Sequence, residues 1–231
     1  MGISLKEMSA DEISNLPSLG LDDTFEFNCK ECGKCCRQRQ DILLTPYDLY
    51  RIAGFLGRTT VEILERYCEA YEGGNSHLPV IRVVPVPPNN SCPFLRNKKC
   101  IIHMRKPVVC RVYPLARVSA EGKTNFIFSG AGCNHEPKTL TVREWIADVA
   151  SEESEEAGLL WGDAVAELYP LVQPDALKLS AKLRTLLMNT MIATLWVNYD
   201  VKQPFAPQFK LNYEELKTSI EKAKEQLEQS E

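Results

Sequence analysis

Apolar residues recur at helical spacing in the C-terminal part of the chain. One stripe with a period of four residues consists of Leu183, Leu187, Met191 and Leu195. Nearer the C-terminus, a second stripe with charged flanks consists of Leu216, Ile220, Ala223 and Leu227. Residues at these spacings lie on one face of an α-helix. The pattern predicts core helices, one of them from Pro174 to about Trp196, and a final amphipathic helix that docks on them or on a partner helix, of which we favour docking within the chain.

Three segments have the sequence of a helix start, with a threonine cap before the first turn: Thr45 with Pro46, Thr59 with Glu62, and Thr141 with Glu144. The second of these helices is predicted to continue past residue 67, because its apolar face has helical period through Val61, Leu64, Cys68 and Tyr71. Cys68 is therefore expected to be a buried helix residue and not a metal ligand.

The segment from Gly73 to about Ser129 differs from the helical segments in being rich in proline and loops. A β-branched run at residues 80–84 predicts a short strand within it. Asn97 and the two lysines after it predict a turn that leads into Cys100. The first 27 residues are polar and interrupted by proline and glycine, so we interpret them as an arm or a short leading helix.

These elements predict an α+β fold, in which an irregular, metal-stabilised, cysteine-rich region with short strands packs with a mainly helical C-terminal part. The predicted division is an N-terminal arm over residues 1–27, a cysteine-cluster metal-binding domain over residues 28–136 and a helical region over residues 137–231. A chain of 231 residues with 44% hydrophobic content is large enough to bury such a core.

Nine cysteines direct the functional interpretation. The chain has no apolar run of the roughly 18–20 residues that a membrane span needs, and its N-terminus lacks the apolar stretch of a secretory signal. We therefore expect a cytoplasmic protein without a membrane partner. Cytoplasmic thiols stay reduced, so a dense, odd-numbered set of cysteines indicates metal binding before disulfides. Disulfides would be the alternative in an oxidising compartment.

The charge of the chain is unevenly distributed. The net charge is −4, yet residues 28–118 contain fifteen basic and seven acidic residues, a local charge of +8. Cations near a thiolate cluster stabilise its negative charge, and we favour this interpretation over an ordinary solvated face. The acidic remainder and the lack of an aromatic-rich binding motif argue against nucleic acid as a partner. A protein partner is left open.

The spacing of the first cysteines indicates an iron–sulfur cluster. Cys29, Cys32 and Cys35 are three residues apart, as in bacterial ferredoxins, where a tight loop wraps three thiolates around a 4Fe–4S cluster. In those proteins a distant cysteine followed by proline is the remaining ligand, and Cys92-Pro93 has this form. The spacing predicts a four-iron cluster held by these three cysteines and a remote one, with Cys92 as the leading candidate.

Zinc is the alternative metal. Two Cys-x-x-Cys units are the ordinary halves of a tetrahedral zinc site, and eight cysteines would fill two such sites. The full set of candidate ligands is Cys29, Cys32, Cys35, Cys36, Cys92, Cys100, Cys110 and Cys133. A third cysteine at the next three-residue step is superfluous for a zinc half-site, which favours iron–sulfur over zinc.

These cysteines and their neighbours resemble the YkgJ-type CxxCxxCC cysteine-cluster family, a zinc- or iron-chelating domain. The resemblance covers residues 28–118 and rests on Cys29-x-x-Cys32-x-x-Cys35-Cys36, on Cys92-Pro93-Phe94-Leu95 with Cys100, and on Lys106-Pro107-x-x-Cys110-Arg111-x-Tyr113-Pro114. His103 stands where the family usually has an aromatic residue, and Lys106 stands where it usually has arginine. Neither departure removes a cysteine.

Flagellin lysine N-methylases carry a similar cysteine cluster, and the resemblance to them implies an iron–sulfur centre and, as one activity, methyl transfer from S-adenosylmethionine. The sequence itself contains no glycine-rich nucleotide loop and no nucleophile–base signature, so catalysis rests on the resemblance alone. Three functions therefore compete. They are an iron–sulfur enzyme for redox or methyl-transfer chemistry, a cluster protein for electron transfer or metal handling, and a zinc-stabilised interaction module.

Residues beside the cysteines are candidates for tuning the site. Arg111 and Tyr113 flank Cys110 and can donate hydrogen bonds to cluster sulfur, although packing in a turn is the alternative for Tyr113. His103 and His135 are weaker candidates for metal ligands, and we favour a hydrogen-bonded structural role for both. His77 lies in a predicted loop and is given no role.

Overall fold

The structure is a computed structural model that describes residues 16–37, 39–120, 123–130, 135–147, 151–173 and 180–228. The chain forms two compact units, and each combines two separate segments. The cysteine unit comprises Met1–Arg39 and Pro85–Ser151, and the helical unit comprises Gln40–Val84 and Glu152–Glu231.

The described helices and strands are, in chain order, β1 (Ser18–Leu19), β2 (Thr24–Phe27), β3 (Leu43–Leu44), α1 (Pro46–Leu56), α2 (Thr60–Tyr67), β4 (Cys68–Glu72), β5 (Pro79–Val83), β6 (Leu95–Arg96), β7 (Lys99–Cys100), α3 (Val108–Val112), β8 (Leu115–Ala120), β9 (Lys123–Phe128), β10 (Lys138–Thr141), α4 (Val142–Ile146), α5 (Glu152–Val172), α6 (Ala181–Ile192) and α7 (Phe205–Glu228). Short 3₁₀ turns lie at Lys34–Cys36 and His103–Arg105, and a π-helical turn at Ala193–Val197 follows α6. Helices and short antiparallel strands together confirm the predicted α+β class.

The cysteine unit is built from small antiparallel sheets with the strand orders β1-β9-β8, β10-β2 and β6-β7. Strand β2 pairs with β10 from Thr24 opposite Thr141 to Phe27 opposite Lys138. An aromatic cluster forms the core between these strands, and its buried members are Phe25, Phe27, Leu115, Phe126 and Val142. Trp145 of α4 packs edge-on against Phe27, with ring centroids 5.0 Å apart, which closes one side of this small core.

Helix starts in both units follow the predicted caps. The hydroxyl of Thr45 accepts the backbone N–H of Asp48, while the Asp48 carboxylate accepts the backbone N–H of Thr45. The same reciprocal arrangement joins Thr59 to Glu62, and the N-terminus of α4 repeats it with Thr141 and Glu144. Each cap satisfies two backbone donors that have no partner within the helix. The three predicted helix starts are therefore confirmed.

The helical unit has a larger core, to which several helices and the sheet β3-β5-β4 contribute. Its fully buried side chains include Leu49, Ile52, Ile63, Ile81, Leu168, Met191, Leu195, Trp196, Phe205 and Phe209. Helix α7 packs along α5 and buries Leu216 and Ile220, which confirms that the C-terminal helix docks within the chain.

The predicted stripe through α6 is only partly a core face. Met191 is fully buried, and so is Leu195 in the π-helical turn, whereas Leu183 is 39% exposed. The described helix begins at Ala181 behind a Ser180 cap, and the predicted start at Pro174 lies outside the described residues. The stripe therefore marks the core only at the C-terminal end of the helix. Among the described helices, none is both long enough and apolar enough to cross a bilayer.

The prediction that Cys68 is a helix residue is wrong. Helix α2 ends at Tyr67, and the backbone of Cys68 is extended, with φ −127° and ψ 165°. Cys68 begins β4 and lies opposite Val83 of β5, while Tyr71 of the same strand is 41% exposed. Pairing with a strand distant in sequence overrides the local helical pattern here. Cys68 is only partly buried.

The interpretation of the first 27 residues as an arm or leading helix is also wrong for the part that the structure describes. Residues 16–27 contain β1 and β2, and Phe25 and Phe27 of β2 belong to the core of the cysteine unit. The alternation of polar and aromatic residues over 24–27 is a strand signal that was available in the sequence. The predicted division into consecutive segments 1–27, 28–136 and 137–231 does not coincide with the two interleaved units.

Candidate metal centre

The motif cysteines lie in a tight loop that depends on Gly33. This glycine has φ 72° and caps the 3₁₀ turn that carries Cys35 and Cys36. A Cβ atom at Gly33 would lie 2.9 Å from Leu95 Cδ1 and 3.0 Å from the carbonyl oxygen of Lys98. Positive φ and this close approach both require glycine. The loop can therefore lie directly against the β6-β7 hairpin.

The second cysteine-bearing segment is joined to this loop by the backbone. The N–H of Cys92 donates to the carbonyl oxygen of Cys36 at 2.8 Å, and the backbones of Arg37 and Ser91 form an isolated antiparallel β-bridge. The β6-β7 hairpin follows, with positive φ at both turn residues, 49° at Asn97 and 65° at Lys98. Such a turn suits the twist of a two-residue hairpin. The hairpin returns the chain to Cys100, in agreement with the turn predicted at Asn97.

The third segment contributes Cys110 from the short helix α3. Its first turn is closed by the carbonyl oxygen of Pro107, which accepts the N–H of Cys110 at 2.9 Å and that of Arg111 at 3.0 Å. At the other end of α3, the carbonyl oxygen of Val112 accepts the indole N–H of Trp145 at 3.1 Å. Helix α3 is thus tied to the aromatic core of the cysteine unit.

Five thiols from these three segments are electrostatic neighbours: Cys35, Cys36, Cys92, Cys100 and Cys110. The Sγ atoms of Cys35 and Cys36 lie 4.0 Å apart. The thiolate forms of Cys35, Cys92 and Cys100 all raise the pKa of the Cys110 thiol. Charges interact this strongly only at short range, so the fold gathers these thiols into one neighbourhood.

The pKa values of the five thiols diverge because of their surroundings. A hydrogen bond from the Cys36 thiol lowers the pKa of Cys35 to about 6, and nearby cations act in the same direction. The same bond, burial and the neighbouring thiolates raise the pKa of Cys36. Burial raises the pKa of Cys92 to about 11 and also raises the pKa values of Cys100 and Cys110. Several clustered thiols therefore stay protonated unless a cation joins them.

The cationic side chains of Arg39 and Lys106 stabilise the thiolate forms of the clustered cysteines. Arg39 lowers the pKa values of Cys35, Cys92 and Cys110, and Lys106 lowers those of Cys35 and Cys100. Nη1 of Arg39 donates to the backbone carbonyl of Cys35 at 3.4 Å.

The aromatic ring of Tyr113 holds Arg39 in place. The guanidinium of Arg39 lies 5.6 Å from the centroid of this ring, which packs edge-on against Phe27 at a centroid distance of 6.3 Å. A cation over an aromatic face is favourably placed. Arg39 was not singled out from the sequence, although its position four residues after Cys35 on a basic segment was the available signal. The proposed bond from Tyr113 to cluster sulfur stays a prediction, as does the one from Arg111.

The remaining predicted ligands are distributed differently. Cys29 is exposed and Cys32 partly buried in the same loop, and neither is among the strongest influences on the five clustered thiols. Cys133 lies outside the described residues. Cys68 belongs to the helical unit, whereas the seven predicted ligands that the structure describes all belong to the cysteine unit.

The donor set of the cysteine unit suits a thiophilic metal, because thiolates are the ligands that zinc and iron–sulfur clusters use. The backbone N–H groups of Phe94 and Ile102 stabilise the thiolates of Cys92 and Cys100, as expected around metal-bound sulfur. Among the described residues, no three cysteine, histidine or carboxylate side chains already stand in a metal-binding arrangement. The thiol donors therefore suit zinc or an iron–sulfur cluster, and several of them lie in one neighbourhood. Metal binding requires their sulfur atoms to move closer together.

Comparison with known proteins extends the match beyond the cysteines themselves. A family model named CxxCxxCC and described as "Putative zinc- or iron-chelating domain" matches residues 28–140, which include His135 and all of β10 except its last residue. An uncharacterized protein of Methanocaldococcus jannaschii is 30% identical over 104 residues, which are 44% of this chain and 52% of that protein. The chain thus spans about half the length of this curated relative. No solved structure matches the chain.

The family description agrees with the donor set found in the cysteine unit. Its model begins one residue before Cys29 and covers every cysteine of the predicted ligand set. The family description names chelation of zinc or iron, and the thiol donors of the cysteine unit suit either metal. Residues 28–140 of this protein match the model of the CxxCxxCC family.

Proposed function

We propose that the cysteine unit binds an iron–sulfur cluster and serves electron transfer or redox chemistry. The observation that carries the proposal is the gathering of Cys35, Cys36, Cys92, Cys100 and Cys110 from three segments beside two cations. The three-residue spacing of Cys29, Cys32 and Cys35 supports a cluster over a single ion.

The proposed ligands of a 4Fe–4S cluster are Cys29, Cys32, Cys35 and Cys92. Support for Cys92 comes from its backbone bond to Cys36 and from the electrostatic effect of Cys35 on its thiol. The other thiols of the neighbourhood, with Cys133, are proposed for exchange with this set or for a second site. Clustered free thiols persist where the redox environment is reducing, so we propose the cytoplasm as the location.

Arg39 and Lys106 would offset the negative charge that four thiolates bring to the cluster. Both act on Cys35, and each also acts on a remote cysteine of the neighbourhood. Charge near a cluster and hydrogen bonds to its sulfurs set its reduction potential. The cations and the N–H groups of Phe94 and Ile102 are therefore proposed to keep the cluster reducible.

Purification without oxygen tests the cluster directly. The protein is expected to be brown, with broad absorption near 400 nm that bleaches on reduction, and to contain iron and acid-labile sulfide in equal amounts. Colourless protein with stoichiometric zinc and neither iron nor sulfide would contradict the proposal.

One observation favours zinc as the second candidate. The Sγ atoms of Cys35 and Cys36 are 4.0 Å apart. Two thiolates on one tetrahedral zinc ion, each at about 2.3 Å, lie about 3.8 Å from one another, whereas a four-iron cluster binds each cysteine at a separate iron. A zinc site at this pair would make the cysteine unit a metal-stabilised interaction module. The metal and sulfide analysis distinguishes the two candidates.

A further inference from the structure

The three histidines of the chain differ in what their ring nitrogens contact. Nδ1 of His77 lies 2.6 Å from a carboxylate oxygen of Glu72, and Nε2 of His103 lies 3.4 Å from a carboxylate oxygen of Glu31. Nε2 of His135 is buried, and it has no hydrogen-bond partner among the residues that the structure describes. His135 therefore stands apart from the other two.

A buried nitrogen of this kind calls for an explanation. Buried polar atoms are nearly always hydrogen-bonded, because the loss of water is otherwise not compensated. An ion at the unpaired atom is one of the few arrangements that removes the penalty. Nε2 of neutral imidazole is a common metal ligand.

Strand pairing brings His135 beside the cysteine motif. Strands β2 and β10 are antiparallel, with Phe27 opposite Lys138. Continued for three more residues, the same register would bring His135 level with Lys30, the residue between Cys29 and Glu31. The two segments are still in contact just beyond the paired strands, since the side-chain amide of Asn28 donates to the carbonyl oxygen of Glu136 at 2.9 Å. The buried nitrogen thus belongs to a segment that is hydrogen-bonded to Asn28, the residue directly before Cys29.

We infer that Nε2 of His135 is a ligand of the metal centre in the cysteine unit, supplied beside Cys29 from the segment that precedes β10. The inference rests on the proposed metal binding and adds a nitrogen donor to a set that otherwise consists of thiolates. The family match includes this residue, because it extends to residue 140. A mixed sulfur and nitrogen site also changes the expected properties, since imidazole in place of thiolate raises the reduction potential of an iron–sulfur centre.

Spectroscopy of the unmodified full-length protein tests the ligand without any substitution. X-ray absorption at the edge of the metal that the protein holds is expected to show an imidazole nitrogen, at about 2.0–2.1 Å if the metal is zinc. For an iron–sulfur cluster, pulsed EPR of the reduced protein should show a strongly coupled nitrogen that changes on ¹⁵N-histidine labelling. A coordination sphere of sulfur alone would overturn the inference and leave the proposed metal binding intact.

Substitution supplies the second readout. His135→Gln and His135→Ala should lose metal to a chelator at least tenfold faster than the parent protein, since even residues that only support a ligand contribute tenfold or more to metal affinity. The matched control is His103→Gln in the same unit, whose Nε2 already faces Glu31, and it should lose metal at the parental rate. Equal rates for His135→Gln and His103→Gln would also overturn the inference. Should the His135 variants fail to fold, the spectra of the parent protein decide, and a protein that binds neither metal would refute both proposals.

Discussion

The helical unit and the cysteine unit bury their side chains to different extents. Helices α1, α5 and α7 of the helical unit each contribute side chains with no more than 1% exposure, among them Leu49, Leu168 and Phe209. The described residues of the cysteine unit contribute fewer buried side chains, chiefly the cluster around Phe25 and Phe27 with Phe94 and Ile102, and its cysteine-bearing segments are loops, two-residue strands and a five-residue helix. Area of apolar surface buried is the main favourable contribution to folding. The difference predicts that the helical unit folds through its core, whereas the cysteine unit depends on ligand–metal bonds.

Metal removal should have the largest effect and should fall on one unit. Ligand–metal bonds contribute on the order of 10 kcal/mol in small thiolate sites, which exceeds what a small core can replace. Metal-free protein is expected to lose ordered structure in the cysteine unit and to keep most of its helical circular dichroism. Limited proteolysis should then cut first within residues 28–39 and 85–130.

Metal-loaded protein under the same conditions is the control for these cuts. The helix α5 and the helix α7 should remain protected in both samples, because their packed faces belong to the helical unit. Early cleavage within residues 152–172 or 205–220, with the cysteine-bearing segments intact, would mean that the metal-dependent unit has been misidentified.

Replacing one clustered cysteine should have the next largest effect. Cys35→Ser removes a proposed cluster ligand whose neighbours include the thiols of Cys92, Cys100 and Cys110, so metal content should fall by half or more. Cys68→Ser is the matched control, because Cys68 is also partly buried but belongs to the helical unit. It should keep its metal and cost about 1 kcal/mol of unfolding free energy. Equal metal loss in both variants would show that Cys68 takes part in the site.

Local features of the fold could be predicted from the sequence. The caps at Thr45, Thr59 and Thr141 involve residues three positions apart, and the Asn97 turn involves adjacent residues. Their hydrogen bonds and dihedral preferences depend on neighbours in the chain, so the residue types alone indicate them. The structure confirms all four.

Features that depend on distant partners were harder to predict. The helical pattern around Cys68 is overruled by β5, which begins eleven residues after Cys68. Strand β2 finds its partner β10 more than a hundred residues later, and no local signal names that partner. The interleaving of the two units follows from the same long-range pairings. Apolar residues at helical spacing show that one face of a helix is apolar, but they do not show which part of the fold covers that face.

The candidate site shows the same division. Spacing identifies the cysteines, and the resemblance to the CxxCxxCC family is confirmed over residues 28–140. Which thiols become neighbours depends on the backbone bond from Cys92 to Cys36 and on the packing of Gly33 against the β6-β7 hairpin. Arg39 is recognisable as part of the site only once its guanidinium is found over the ring of Tyr113.

A substitution that creates a cavity in the core of the helical unit should have a smaller effect than metal removal or cysteine replacement. Leu168 of α5 is completely buried, and Leu168→Ala should reduce the unfolding free energy of the helical unit by about 2–5 kcal/mol. Trp161 and Trp196 both lie in this unit, with ring centroids 4.9 Å apart, whereas Trp145 lies in the cysteine unit, so tryptophan fluorescence follows the unfolding of the helical unit in urea once Trp145 is replaced by Phe. The loss should be the same with and without metal. A Leu168→Ala variant that unfolds only after metal removal would contradict the independence of the helical core.

The smallest expected effect concerns an ion cluster at the edge of the helical unit. A hydrogen bond from His77, helped by Arg184 of α6 at 2.8 Å, lowers the pKa of Glu72 at the end of β4. A lowered pKa in the folded protein stabilises it above the pKa of the unfolded chain, and this contribution is lost as the pH falls through the folded value. One third of the Glu72 side chain is exposed, so solvent screening limits the contribution to about 0.5 kcal/mol.

Glu72→Gln should therefore destabilise the helical unit slightly at pH 7, and the effect should diminish as the pH falls towards 3, as measured by urea unfolding followed through tryptophan fluorescence in the same Trp145→Phe background. Glu65→Gln is the control, because Glu65 is an exposed glutamate of α2 in the same unit, and it should leave the unfolding free energy unchanged at both pH values. A Glu72→Gln effect that persists at pH 3 would show that the carboxylate acts through packing and not through charge. Such a result would make the edge of the helical unit depend on side-chain shape, as its core does.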